Sequence, residues 1–137
     1  MIKQIVFLRK RPDLTMAQFM DYYETQHTQL ARRLGAKPSL PNAQRYVRRY
    51  LTPEKNPLTG EVLDCGYDCI MEIWWNRRED FEAAMQGLGN PELLQARLDD
   101  ELRLFASNHN PVCTVEEHDS PVGPRNAIPK LVLEAGG

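Results

Sequence analysis

The chain has 137 residues, 42% hydrophobic and 26% charged, which predicts one soluble domain able to bury a core without staples. Its net charge of -2 leaves no electrostatic footprint for nucleic acid, and its short basic runs read as solvated surface or ion-pair partners. No stretch approaches a membrane span. Cys65, Cys69 and Cys113 are odd in number and lack C-x-x-C spacing; with no signal-peptide pattern, this predicts reduced thiols in the cytoplasm.

Residues 1–9 carry Ile, Val, Phe and Leu over a strand's length and predict a first strand covered on both faces. Residues 15–34 (TMAQFMDYYETQHTQLARRL) predict one amphipathic helix. At ~100° per residue, Met16, Phe19, Tyr23, Leu30 and Leu34 share its buried band. Thr15 and Gln18 make a capping box at its start, and Gly35 ends it. His27 projects at the edge of the apolar band. Such an imidazole is either a core histidine satisfied by a backbone carbonyl or a tyrosine hydroxyl, or a general base lining a pocket.

Residues 36–42, with two prolines, predict a loop. Residues 43–52 predict a second strand, with Tyr46, Arg48 and Tyr50 on one face and Arg45, Val47, Arg49 and Leu51 on the other. Residues 53–66 have no period and predict a long, mobile hairpin connection. Residues 67–75 (YDCIMEIWW) predict a strand with Tyr67, Cys69, Met71, Ile73 and Trp75 on one face. Its other face carries Asp68, Ile70, Glu72 and Trp74.

Asn76 is expected to cap a helix that buries Phe81, Ala84, Met85 and Leu88. Pro91, after a second cap at Asn90, opens a helix running to about Phe105 on Leu94, Leu98 and Leu102. Residues 112–118 predict a last core strand. Residues 119–137 hold three prolines and three glycines and predict an extended tail, although residues 128–133 are apolar enough to drape over something.

This order predicts an α+β fold: a ferredoxin-like βαββαβ sandwich over residues 1–118, with the first and third strands central in an antiparallel four-stranded sheet. Helices would cover one face. The other, carrying Tyr46, Tyr50, Glu72 and Trp74, is expected to meet a second copy of the chain.

An ordered series of motifs then resembles the EthD family: FLRKRPDLT at residues 7–15, F-x-x-Y-Y-x-x-x-H at 19–27, L-x-R-R-L at 30–34 and R-Y-V at 45–47. EIWW at 72–75, LDDELRLF at 98–105 and VEE at 115–117 complete it. The resemblance implies a dimeric α/β-barrel, two facing sheets with a cleft in each subunit between sheet and helices. EthD itself is associated with bacterial ether degradation alongside an oxidising system. Related barrel proteins include polyketide cyclases, a muconolactone methylisomerase, and fungal dehydratases and decarboxylases, which use histidine and tyrosine without metal or cofactor. His27 matches the helix histidine of this group and Tyr46 its second-strand tyrosine. The further strand histidines of some cyclases have no equivalent here.

The expected site is therefore a small-molecule cleft beside His27, with no metal and no cofactor. A partly desolvated imidazole stays neutral and basic near pH 7. Tyr23 or Tyr46 would orient it or donate to a ligand oxygen, unless each is a satisfied core aromatic. Phe7, Tyr23 and Trp74 would wall the cleft, and Glu72 would act as a second acid or as an arginine's partner. The expected protein is a homodimer that binds a hydrophobic or aromatic molecule, with cofactor-independent acid/base catalysis. The alternative is a non-catalytic accessory protein of an oxidative degradation pathway.

Overall fold

A computed structural model describes residues 1–123. Alternation in β1 (Ile2–Leu8) buries Gln4, Val6 and Leu8, and in β3 (Cys69–Trp75) it buries Cys69, Ile73 and Trp75. These two strands pair antiparallel at the sheet centre, with Val6 opposite Met71. β2 (Ala43–Tyr50) flanks β3 and β4 (Val112–Thr114) flanks β1, giving the order β2-β3-β1-β4. All pairings are antiparallel. The last strand is shorter than the expected residues 112–118. Thr114 lies opposite Gln4, so residues beyond 116 would face the end of β1 with nothing left to pair.

The expected continuous helix over residues 15–34 is broken. α1 (Met16–Thr25) starts with the expected capping box, Gln18 N–H donating to Thr15 Oγ1 at 3.1 Å and Thr15 N–H to Gln18 Oε1 at 2.9 Å. After Gln26 the chain makes a 3-10 turn at His27–Gln29 and then one turn of helix, α2 (Leu30–Arg33). The sequence carries a cause for the break: Thr25 and Thr28 hydroxyls bond back to the carbonyls of Asp21 and Glu24, which bends a helix. Leu34, counted in the buried band, is 48% exposed as a result.

α3 (Arg78–Leu88) is capped at Arg77 rather than at Asn76. The later start leaves Glu79 and Asp80 in the first turn, where the helix dipole favours them, and Asp80 pairs with Arg77. α4 (Pro91–Leu104) opens as expected, with Asn90 Oδ1 accepting from Glu92 N–H at 3.1 Å. Its face is not the expected leucine stripe. Leu94 and Leu102 are exposed, while Asp100 and Leu104 are buried. The connection at residues 53–66 is not featureless either: Asn56 Oδ1 organises a local turn, and Lys55 bridges Val62.

α1 and α4 pack on one sheet face around Leu8, Phe19, Tyr23, Cys69, Leu104 and Phe105. A second cluster joins Ile73 and Trp75 to Ala84 of α3. Tyr46 and Tyr50, expected on the uncovered face, lie on this helix-covered one. The alternation of β2 is as expected, but its register sets Tyr46 opposite Ile73 and Tyr50 opposite buried Cys69. The open face instead carries Ile5, Phe7, Val47, Ile70 and Trp74 around Glu72. The architecture is the ferredoxin-like α+β plan. Residues 124–137, including the apolar piece of the tail, lie outside the described residues, as does any contact of theirs with a partner.

Candidate functional site

A cleft of about 960 Å³ opens between the helix-covered face of the sheet and the helices. Tyr46, Met71 and Ile73 form its floor, the segment from His27 to Leu34 one wall, and Leu93, Arg97 and Glu101 of α4 another. The break after Gln26 matters here, because His27 begins a turn instead of continuing α1.

His27 Nδ1 lies 2.8 Å from Asp100 Oδ2 on α4. The ring is flanked edge-on by Tyr23, with centroids 5.2 Å apart, and by Phe105 at 5.6 Å. Asp100 is 1% exposed, so its charge must be met inside the protein. Tyr22 Oη–H donates to its other oxygen at 2.6 Å, and Arg33 and Arg103 approach to 3.8 and 3.7 Å. Burial pushes the Asp100 carboxyl up, but the Tyr22 and His27 hydrogen bonds and the His27 and Arg33 charges outweigh it and hold the group below its ordinary range. An ionised Asp100 accepts from Nδ1–H and so selects, of the two neutral tautomers of the ring, the one with its proton on Nδ1. Nε2 is then the free acceptor; it has no hydrogen-bond partner among the described residues.

Across the floor, the Tyr46 and Tyr23 hydroxyls are 3.0 Å apart. Burial raises the pKa of both phenols, Tyr23 the more strongly, so both keep their protons at neutral pH. The Arg48 guanidinium lies 4.7 Å over the Tyr46 ring and is itself held by Glu24, which also accepts from Tyr50 Oη–H at 2.6 Å. Tyr46 is thus a positioned donor at the cleft floor, with Tyr23 behind it.

Of the residues expected at the site, His27 and Tyr46 come together at the cleft and Tyr23 supports both. Phe7, Glu72 and Trp74 do not join them, because their register places them on the opposite sheet face. There Phe7 packs on Tyr67 at 5.3 Å. Glu72 accepts from Trp74 Nε1–H at 2.8 Å and pairs with Arg49 at 3.0 Å. Trp74 lies between Lys3 and Arg45, 4.1 and 4.9 Å from its ring. Glu72 is therefore an arginine's partner in this chain.

Sequence reasoning missed Asp100, Arg97 and Glu101. Their signal is the helical spacing 93, 97, 100, 101, 104, which sets an arginine and two acids on the face that Leu93 and Leu104 share. Burial raises the Glu101 carboxyl above its usual range, partly offset by the Asn108 amide donating at 3.1 Å. Among the described residues, no three His, Cys, Asp or Glu side chains are grouped to hold a metal. No described helix is long and apolar enough to cross a membrane.

The fold agrees with comparison to known proteins. The EthD domain model matches residues 11–108, a span that includes His27, Tyr46 and Asp100. An ethyl tert-butyl ether d (EthD) family protein from Bacillus halodurans superposes with a TM-score of 0.51 at 16% identity, covering 86% of this chain and 100% of its own. A protein of Arabidopsis thaliana superposes with a TM-score of 0.53 at 9% identity, covering 89% of this chain and 100% of its own. At these identities the two structures speak for the fold alone. No curated protein gives a significant match. The chain belongs to the EthD domain family.

Proposed function

We propose that the protein binds a small hydrophobic or aromatic organic molecule in the cleft beside His27 and moves a proton on it without metal or cofactor. The observation that supports this most is the Asp100–His27 pair, because a carboxylate-oriented imidazole with its second nitrogen unpartnered is a general base. His27 Nε2 takes a proton from a carbon beside a carbonyl or from a hydroxyl, and Asp100 stabilises the imidazolium. The Tyr46 hydroxyl donates to the oxygen where negative charge develops. Isomerisation, cyclisation and dehydration can begin with this step, and decarboxylation uses its reverse, a proton delivered to the carbon that CO2 leaves.

The test is α-proton exchange of a panel of aryl ketones in D2O, followed by proton NMR. The wild-type protein should accelerate exchange of at least one member. His27→Gln should lose about 10²–10⁴-fold of that rate while costing only about 1–3 kcal/mol of stability through the altered Asp100 pairing. Exchange that falls no further than the folded population falls would contradict catalysis.

The family name favours a second reading, since the Bacillus neighbour is described by ethyl tert-butyl ether. A non-catalytic accessory protein of an oxidative degradation pathway would bind ligand in the same cleft with no exchange in any variant. We further propose that residues 1–118 form the domain and that residues 119–137 form an extended tail. A second copy would pair through the open sheet face as a dimeric barrel. The three free cysteines support a reducing compartment, the cytoplasm.

A further inference from the structure

Arg97 stands on α4 where the cleft meets an adjoining recess of about 620 Å³, and it lines both. Its guanidinium makes no hydrogen bond and no ion pair among the described residues, and Nη1 is buried outright without a partner. Burial lowers its pKa, with no opposing charge near enough to raise it again. The carboxylates of the recess do not serve it. Asp80 is held by Arg77, and Glu92 makes no ion pair. A half-buried guanidinium with nothing to bind is costly to the folded chain, and it is the kind of group that functional sites retain.

The charges around the cleft point the same way. Arg32 and Arg97 line it, the Arg45 guanidinium being turned to the other sheet face over Trp74, whereas the one carboxyl among its described lining residues, Glu101, is pushed by burial toward its neutral form. Asp100 is already committed to His27 and Tyr22. The cleft thus offers cationic walls over an apolar floor of Met71, Ile73 and the Tyr46 ring.

We infer that the ligand of the cleft is an organic carboxylate, whose anionic group pairs with Arg97 while its apolar or aromatic body lies over Tyr46, Met71 and Ile73. The inference rests on the cleft being the ligand site and names the chemical class that the site takes. With Nη1 sealed, the donors open to a ligand are Nε–H and Nη2–H, whose paired N–H bonds match a carboxylate's two oxygens, which a neutral carbonyl compound cannot fill in the same way. Anchoring one end at Arg97 would leave the rest of the molecule free to lie across the floor toward His27 and Tyr46.

The test uses two probes of one shape, benzoate and benzamide, titrated into the full chain and followed by NMR at His27 and at the Met71 methyl. The expected result is binding of benzoate at least about tenfold tighter than benzamide, the least expected of a charge-assisted pair. Arg97→Met should abolish that preference, weakening benzoate binding far more than benzamide binding. Ligand-free Arg97→Met should also melt no lower than the wild type, because a buried charge without a partner is being removed. Equal binding of the two probes by the wild type, or a preference that survives in Arg97→Met, would overturn the inference and leave the cleft reading standing. A lower melting temperature with no change in preference would assign Arg97 a structural partner and overturn it as well. If neither probe moves His27 or Met71, the cleft reading itself fails and the inference falls with it.

Discussion

At the residue scale the proposed chemistry hangs on a short contact between elements far apart in sequence, His27 in the 3-10 turn after α1 and Asp100 on the last helix. Asp100 has a depressed pKa in the fold, so its contribution to stability is present above the unfolded value near ~4 and is lost as pH falls through the lower folded value. Asp100→Asn should therefore flatten the acid limb of a stability-versus-pH curve. Glu101 has the opposite sign. Its raised folded pKa makes the ionised form a penalty at neutral pH, a penalty absent below about pH 4. Glu101→Gln should then raise the melting temperature at pH 7 and give no gain near pH 4, as read by calorimetry at the two values. His27 and Tyr46 were legible in the sequence because an imidazole on an apolar stripe and a tyrosine in a strand stand out from their neighbours. Asp100 was not, because an acid on a helix ordinarily marks the solvated face, and only the tertiary contact with Tyr22 and His27 makes burying it tolerable.

At the element scale, local chemistry was legible and orientation was not. The capping box at Thr15 and the Asn90–Pro91 start of α4 are decided within a few residues, and both are present. The rotation of α4 about its axis is decided by what it meets. Leu94, Leu98 and Leu102 form a regular stripe in sequence, yet the helix turns Leu104 and Asp100 inward because Phe19, Tyr23 and His27 lie there. Substitution separates the two faces. Leu104→Ala should cost about 2–5 kcal/mol as a core truncation, while Leu102→Gln should stay within about 0.5 kcal/mol, both read by chemical denaturation. The faces of β2 follow the same logic. Alternation grouped Tyr46, Arg48 and Tyr50 correctly, but only pairing with β3 decides that this group faces the helices.

For the whole molecule, strand and helix order was enough to reach the ferredoxin-like plan, since βαββαβ connectivity with right-handed crossovers leaves few alternatives. What the order could not supply was the composition of the open face. Phe7 with Tyr67, and Trp74, stand there in place of the expected Tyr46 and Tyr50, and with Ile5, Val47 and Ile70 they make an apolar surface around Glu72. Pairing of two copies through it should give a dimer in sedimentation at micromolar concentration. Val47→Asp, which sets a carboxylate opposite Glu72, should shift the protein toward monomer without unfolding it. A wild-type monomer at that concentration would contradict the dimeric barrel.

The central claim is that Asp100 holds His27 as a base whose free nitrogen serves the cleft. Long-range proton–nitrogen NMR of the imidazole at pH 8 tests it most directly. The account predicts a neutral ring protonated on Nδ1 toward Asp100, with Nε2 bare and its shift moving when a cleft ligand is added. A proton on Nε2, a ring still carrying both protons at pH 8, or an Nε2 signal indifferent to every ligand that binds would contradict it.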